Sequence, residues 1–219
     1  VAGLVLLKNH NKLRVALLVS FFLATIHPQY IIQNRFVWNP SFIPPLLSVS
    51  FISLYLLTEK FNLRRLMVFS ISMALAVAIH FPAGPFMLAA MTYMALFWKK
   101  NRVYSILVLI GFLIFFNLPS LVFEARHDLL ITKSLFSHQW IGTQQFTIVQ
   151  NIDRLANFTF SLENKTIDLF LLVTVLIYGI FVFIKKPKEF EGMLGFLFVF
   201  SFLVTIASKM AFHSHYIFG

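Results

Sequence analysis

Residues 103–123 read VYSILVLIGFLIFFNLPSLVF, twenty-one positions without an Asp, Glu, Lys or Arg. As an α-helix rising about 1.5 Å per residue, this stretch matches the roughly 30 Å hydrocarbon core of a bilayer. Lys99, Lys100 and Arg102 precede it, and Glu124, Arg126, His127 and Asp128 follow it. Its apolar residues are continuous rather than alternating, which excludes a membrane β-barrel strand and leaves the helix. The whole chain shares this character: 59% of its 219 residues are hydrophobic, 12% are charged, and 28 are Phe. Soluble domains carry about 25% charged residues. A water-soluble fold of this size cannot bury so much apolar surface. The sequence therefore predicts an all-α, polytopic transmembrane helical bundle forming one domain over 1–219.

Working outward from 103–123, six more apolar segments bring the expected total to about seven spans. Segment 15–26 is short and is completed by 30–32 if Pro28 is tolerated as a kink. Segment 43–57 carries Pro44 and Pro45 in its first turn, where a missing N–H does no harm. Segment 66–81 stops at the Pro82-Ala83-Gly84-Pro85 breakers, and 86–98 stops at Lys99. Segments 168–184 and 193–207 complete the set. Residues 1–7 read as the tail of a helix, so the sequence is expected to be a piece of a longer chain. A long polar loop, 124–165, separates the fifth and sixth spans. Within it Ile148, Val149, Ile152, Leu155 and Ala156 recur at helical spacing. That short amphipathic helix either lies along the membrane interface or packs on the rest of the loop. Asn157-Phe-Thr and Asn164-Lys-Thr match the glycosylation sequon, a pattern short enough to arise by chance.

The net charge of +10 does not point to nucleic acid, because the basic residues lie in short clusters between apolar segments. Twelve of the eighteen Lys and Arg fall in loops 8–14, 59–65, 99–102 and 185–191. The other six are Arg35, Arg126, Lys133, Arg154, Lys165 and Lys209. The positive-inside rule then makes the first set cytoplasmic and puts the 124–165 loop outside. Six of the seven His, all but His10, fall on the outer side. The expected location is the plasma (inner) membrane, multi-pass, with the active side periplasmic or extracellular. The chain has no Cys, so disulfides and thiolate metal sites are excluded.

Polar chemistry gathers at the outer ends. Residues 27–42 read HPQYIIQNRFVWNPSF. Arg35, near Tyr30 and Trp38, suits a phosphate or pyrophosphate at the membrane surface, or else snorkels to lipid headgroups. Asn39, four residues on, shares a helical face with Arg35 or caps the helix that starts near Pro40. Glu124 and Asp128 are also four apart; on a helix both would face one site as general base or metal ligands, and otherwise they belong to a solvated loop. His213 and His215 are the pair on which a divalent metal would rest, though two His without a carboxylate are a thin ligand set.

Taken in order, several stretches resemble the GT-C superfamily of membrane glycosyltransferases, of the protein-mannosyltransferase and aminoarabinose-transferase type. HPQYIIQNRFVWNPSFIPPLL (27–47) is similar to a family pattern with an arginine and a polar residue four on. His80-Phe-Pro-Ala-Gly resembles the small loop before a short helix. NLPSLVFEARHDLL (117–130) resembles a helix leaving the membrane through Pro into a large outer loop. HSHYIFG (213–219) resembles a His/Tyr-rich junction late in the transmembrane region. The resemblance implies transfer of a sugar from a polyprenyl-phosphate donor to an acceptor on the outer face. It implies a donor site drawing on Arg35, Asn39, His27, Tyr30, His80, His213 and His215. It places the catalytic carboxylate in an early outer loop, expected upstream of Val1, so the 219 residues alone are expected to bind donor but not turn over. Asn39 stands where many relatives carry Asp, which leaves an acidic role there without support. The implied partners are the polyprenyl-phosphate-linked sugar and the lipid bilayer, not nucleic acid. The alternative is a polytopic transporter or lipid-linked-glycan flippase. A transporter should show internal repeats and mid-membrane charges; the sequence shows no repeat and keeps its charges at span ends.

Overall fold

A computed structural model of the chain describes residues 15, 18, 42–80, 83–98, 101–129, 133, 147–160 and 164–207. The described residues form helices and no strand. In chain order they are α1 (Ile43–Glu59), α2 (Leu63–Ile79), α3 (Gly84–Phe97), α4 (Arg102–Phe116), α5 (Leu118–Arg126), α6 (Ile148–Phe160), α7 (Lys165–Lys185) and α8 (Phe190–Ala207). The expected first span, 15–26, lies outside the described residues apart from Val15 and Leu18.

Local chemistry explains the boundaries. Pro44 and Pro45 open α1, where the first N–H groups have no intrahelical partner anyway. The Asn62 side chain accepts from the N–H groups of Arg64 (2.9 Å) and Arg65 (3.4 Å), capping α2. Asn164 caps α7 in the same way, accepting from Thr166 (3.1 Å) and Ile167 (3.2 Å). The amide of that second sequon is thus engaged in holding a helix start. Thr147 and Gln150 form a reciprocal capping box ahead of α6: the Thr147 N–H donates to Gln150 Oε1 at 2.8 Å, and the Gln150 N–H donates to Thr147 Oγ1 at 3.2 Å.

The helices alternate in direction. One end gathers 59–63, 97–98, 101–102 and 185–190; the other gathers the start of α1, the end of α2 with the start of α3, α5, α6 and the start of α7. The core runs through α1 to α4 and takes in Met193 and Leu197 of α8. α1 packs on α2, α2 on α4, α3 on α8, and α7 on α8, with α6 laid against α7. Between α1 and α2 the buried hydroxyls of Ser50 and Ser72 meet at 2.7 Å. An aromatic cluster ties α3 to the α7–α8 hairpin, with Phe97 5.5 Å from Phe183 and Tyr93 5.7 Å from Phe196 between ring centroids.

Only α7, at 21 residues, and α8, at 18, are each long and apolar enough to cross a membrane by length and composition, among the described residues. The bent pair α4–α5 raises the number to three. Among the described residues the expectation of about seven spans is not reached. α1 (17 residues) and α3 (14 residues) are apolar but short, about 25 and 21 Å at the helical rise. The fifth span also departs from expectation: 103–123 is not one helix but turns through 66° between α4 and α5. Pro119 lacks an N–H, and its ring crowds the carbonyl four residues back. Asn117 occupies the corner, its side-chain amide donating to the Leu113 carbonyl at 2.9 Å. The exposed side chains are apolar to an extent water would penalise. Phe170, Ile177, Tyr178 and Ile184 of α7 are 62–71% exposed, and each such side chain left in water forgoes about 1.5–3 kcal/mol. Lipid is the solvent that this face fits.

α7 and α8 approach backbone to backbone. A Cβ on Gly195 would collide with the Gly179 carbonyl oxygen, whereas a Cβ on Gly111 would meet nothing within 4 Å. Gly195→Ala is therefore expected to destabilise the protein by about 1–3 kcal/mol, while Gly111→Ala, also mid-helix, is expected to be neutral or stabilising by up to about 1 kcal/mol. Thermal unfolding of both variants in detergent checks the contrast.

Candidate functional site

The end of the bundle opposite the basic loops collects buried polar groups on four elements. His80 sits just past α2 in extended backbone; its N–H donates to the Ala76 carbonyl at 3.0 Å, and its carbonyl accepts from the Ala83 N–H at 2.9 Å. The residue that the sequence marks as a site histidine therefore also closes the α2–α3 turn, with a half-buried side chain.

α5 ends in a Schellman closure, the Leu129 N–H reaching back to the Glu124 carbonyl at 2.9 Å. Asp128 takes the left-handed position that this closure requires, at φ 52°, where an Asp is better tolerated than most residues. The pairing of Glu124 with Asp128 on one helical face is corrected here: the helix stops at Arg126, Glu124 is 9% exposed, and Asp128 is exposed to solvent. His127 stacks on Phe123 with ring centroids 4.0 Å apart, and its Nδ1 lies 2.8 Å from the Phe123 carbonyl oxygen.

A second group lies where α6 meets α7. Of the apolar stripe read from the sequence, Leu155 and Ala156 are buried and Ile152 is half-buried, while Ile148 and Val149 at the helix start are exposed. That face packs against α7, a partner that the sequence did not name. Asn151 shares the buried face at 0% exposure, and among the described residues neither its Oδ1 nor its Nδ2 has a hydrogen-bond partner. Asp168, in the first turn of α7, is likewise 0% exposed, with the positive end of the helix dipole favouring its charge. Lys165 and Asp153 bridge the two helices at 3.1 Å on the exposed side. Asn151 had no sequence signal beyond its place on an otherwise apolar stripe. Asp168 shows in the sequence as the single acid leading a span.

Chemically, this end offers a half-buried imidazole and two largely buried carboxylates, Glu124 and Asp168. The described residues hold no group of three or more His, Asp or Glu placed to bind a metal ion. Arg35, Asn39, His27, Tyr30, His213 and His215 lie outside the described residues. The chain matches no protein-family model, no curated protein and no solved structure.

Asn151 allows a direct test of whether its environment is built for stability. A buried amide without partners forgoes about 1–3 kcal/mol of desolvation, which an apolar group of similar shape recovers. Asn151→Leu is expected to raise the melting temperature in detergent. A lowered melting temperature would mean that the amide is hydrogen-bonded after all.

Proposed function

We propose that this chain is part of an integral-membrane glycosyltransferase that moves a sugar from a polyprenyl-phosphate donor to an acceptor on the outer face of the membrane. The observation that carries the reading is the segregation of chemistry. Half-buried His80 and buried Glu124, Asn151 and Asp168 lie at one end, together with Arg126, Lys165, Asp128 and Asp153, while seven described cations, Lys60, Arg64, Arg65, Arg102, Lys185, Lys186 and Lys188, lie at the other with Glu59, Glu189 and Glu191. By the positive-inside rule the basic end is cytoplasmic and the polar end outer. The turn out of α4 at Asn117-Leu118-Pro119 also supports the reading, since the family resemblance includes a helix that leaves the membrane through Pro. In this scheme Arg35 holds the donor phosphate as a bidentate cation and His80, His27 and Tyr30 border the sugar. The base that takes the acceptor proton is a carboxylate at the outer end.

The transporter alternative gains no support from the long apolar helices α1–α4, α7 and α8, whose charged residues lie within the first or last turn; Asp153 and Arg154 lie mid-helix only in the short amphipathic α6.

The test uses the full-length protein in lipid nanodiscs with a polyprenyl-phosphate sugar. Arg35→Ala is expected to weaken donor binding by tenfold or more, and Arg35→Lys to restore part of it, because Lys lacks the planar fork. Donor affinity unchanged in Arg35→Ala would overturn the assignment.

A further inference from the structure

The basic end holds a cleft that the transferase chemistry does not use. Thr58 and Phe61 from the end of α1, Tyr93, Phe97 and Trp98 from α3, and Lys188 from the α7–α8 loop line it. Its volume of about 390 Å³ falls within the range of small-molecule sites. The walls are held in place. The Tyr93 hydroxyl donates to the Pro187 carbonyl at 2.8 Å, fixing the loop that carries Lys188. Tyr93 and Phe97 pack at 5.0 Å, and Phe97 rests edge-on against Phe183.

The charges around this cleft are unequally committed. Arg65 donates to the Leu56 carbonyl at 2.7 Å, and Arg102 to the Ala95 carbonyl at 3.3 Å, each stitching a helix C-terminus. Lys186 is paired with Glu189 at 2.7 Å, a hydrogen bond that holds its ammonium above the ordinary lysine range. Lys185 lies 4.4 Å over the Phe181 ring. Of the carboxylates at this end, Glu189 is taken by Lys186, Glu59 is hydrogen-bonded by the Tyr55 hydroxyl, and Glu191 occupies the first turn of α8, where the helix dipole favours it. Lys60, Arg64 and Lys188 form no ion pair among the described residues and are exposed. The cleft is therefore aromatic-walled with uncommitted positive charge at its rim. Leu63, two residues past Phe61, is 52% exposed, and Leu96, beside Phe97 in sequence, is 63% exposed. A ligand seated here meets the Lys188 ammonium and the aromatic walls together.

We propose that this cleft is a binding site for one anionic phospholipid, with Lys188 drawing the headgroup phosphate and the rings of Phe61, Phe97 and Trp98 holding the glycerol and upper acyl chains. Tyr and Trp side chains suit the headgroup level because one part of each is apolar and another polar. A lysine near the membrane surface attracts anionic lipid. The aromatic walls favour a lipid over a free anion, because a free anion leaves their apolar faces unfilled. The site stands apart from the glycosyltransferase reading and does not depend on it.

Native mass spectrometry of the protein in mild detergent tests the proposal, with dioleoyl phosphatidylglycerol and dioleoyl phosphatidylcholine as competing probes. The wild type is expected to retain one phosphatidylglycerol with about fivefold preference, because phosphatidylcholine carries the same phosphate but its trimethylammonium offsets the charge that Lys188 attracts. Lys188→Gln should erase the preference, Lys188→Arg should keep it, and Lys186→Gln, whose charge is already paired, should leave it unchanged. Circular dichroism and melting temperature verify that the variants fold; should Lys188→Gln fail to fold, loss of preference in a folded Lys188→Arg would count against the site. Equal retention of the two lipids, or full preference in folded Lys188→Gln, would overturn the proposal. Displacement of the lipid by excess inorganic phosphate would overturn it in favour of a free-anion site.

Discussion

The close approach of the α7 and α8 backbones at Gly179 and Gly195 is the constraint on which the rest of this bundle depends. Within lipid, apolar side chains gain little by exchanging acyl chains for one another, so helices associate through close packing and occasional polar contacts. Glycine lets the backbones meet directly, Cα of Gly195 lying 3.5 Å from where a Gly179 Cβ would stand. Gly192 plays the matching part at the basic end, where a side chain would run into the Lys186 carbonyl and push the connecting loop away. That hairpin in turn carries Phe183 and Phe196 against Tyr93 and Phe97, and sends Met193 and Leu197 into the core with α1 to α4. Separating α7 from α8 would withdraw both the aromatic cluster and one wall of the core.

The two ends of the bundle follow from this framework. At the basic end the helix C-termini of α1, α3 and α7 converge, and arginines from α2 and α4 satisfy carbonyls left without helical partners. At the other end the chain needs caps, turns and short helices, and those bring His80, Glu124, Asn151 and Asp168 out of the apolar environment into protein. Burial of a carboxylate or an amide is costly wherever it occurs. Here it is concentrated at one end.

Much of the helical layout was legible in the sequence. Pro44 and Pro45 mark the start of α1, the Pro82–Pro85 breakers separate α2 from α3, and the apolar stripe at 148–156 announces α6. These features work through local rules of backbone and periodicity. The number of spans was not legible, because apolar composition does not say how long each helix runs before it bends. The 103–123 stretch looks uninterrupted by composition, yet Asn117 and Pro119 bend it. Nor does spacing show that Asp128 leaves the helix: the i, i+4 relation to Glu124 holds only if α5 continues, and the Schellman closure ends it. The Gly179–Gly195 contact joins two helices, and nothing local in either one names its partner. Of the site residues expected from the sequence, His80, Glu124 and Asp128 are described, and only the first two are withdrawn from solvent, at the end opposite the basic loops.

The claim beneath all of this is that lipid surrounds α7. Because the chain has no Cys, single cysteines can be introduced without background. Spin labels at positions 170, 173, 177, 181 and 184, on the exposed face, should collide with oxygen far more often than with a water-soluble nickel complex when the protein is in a bilayer. Labels at 172 and 182, on the buried face, should be shielded from both. Nickel accessibility exceeding oxygen accessibility at 173–181 would mean that water, not lipid, bathes this helix, and would contradict the membrane-embedded bundle.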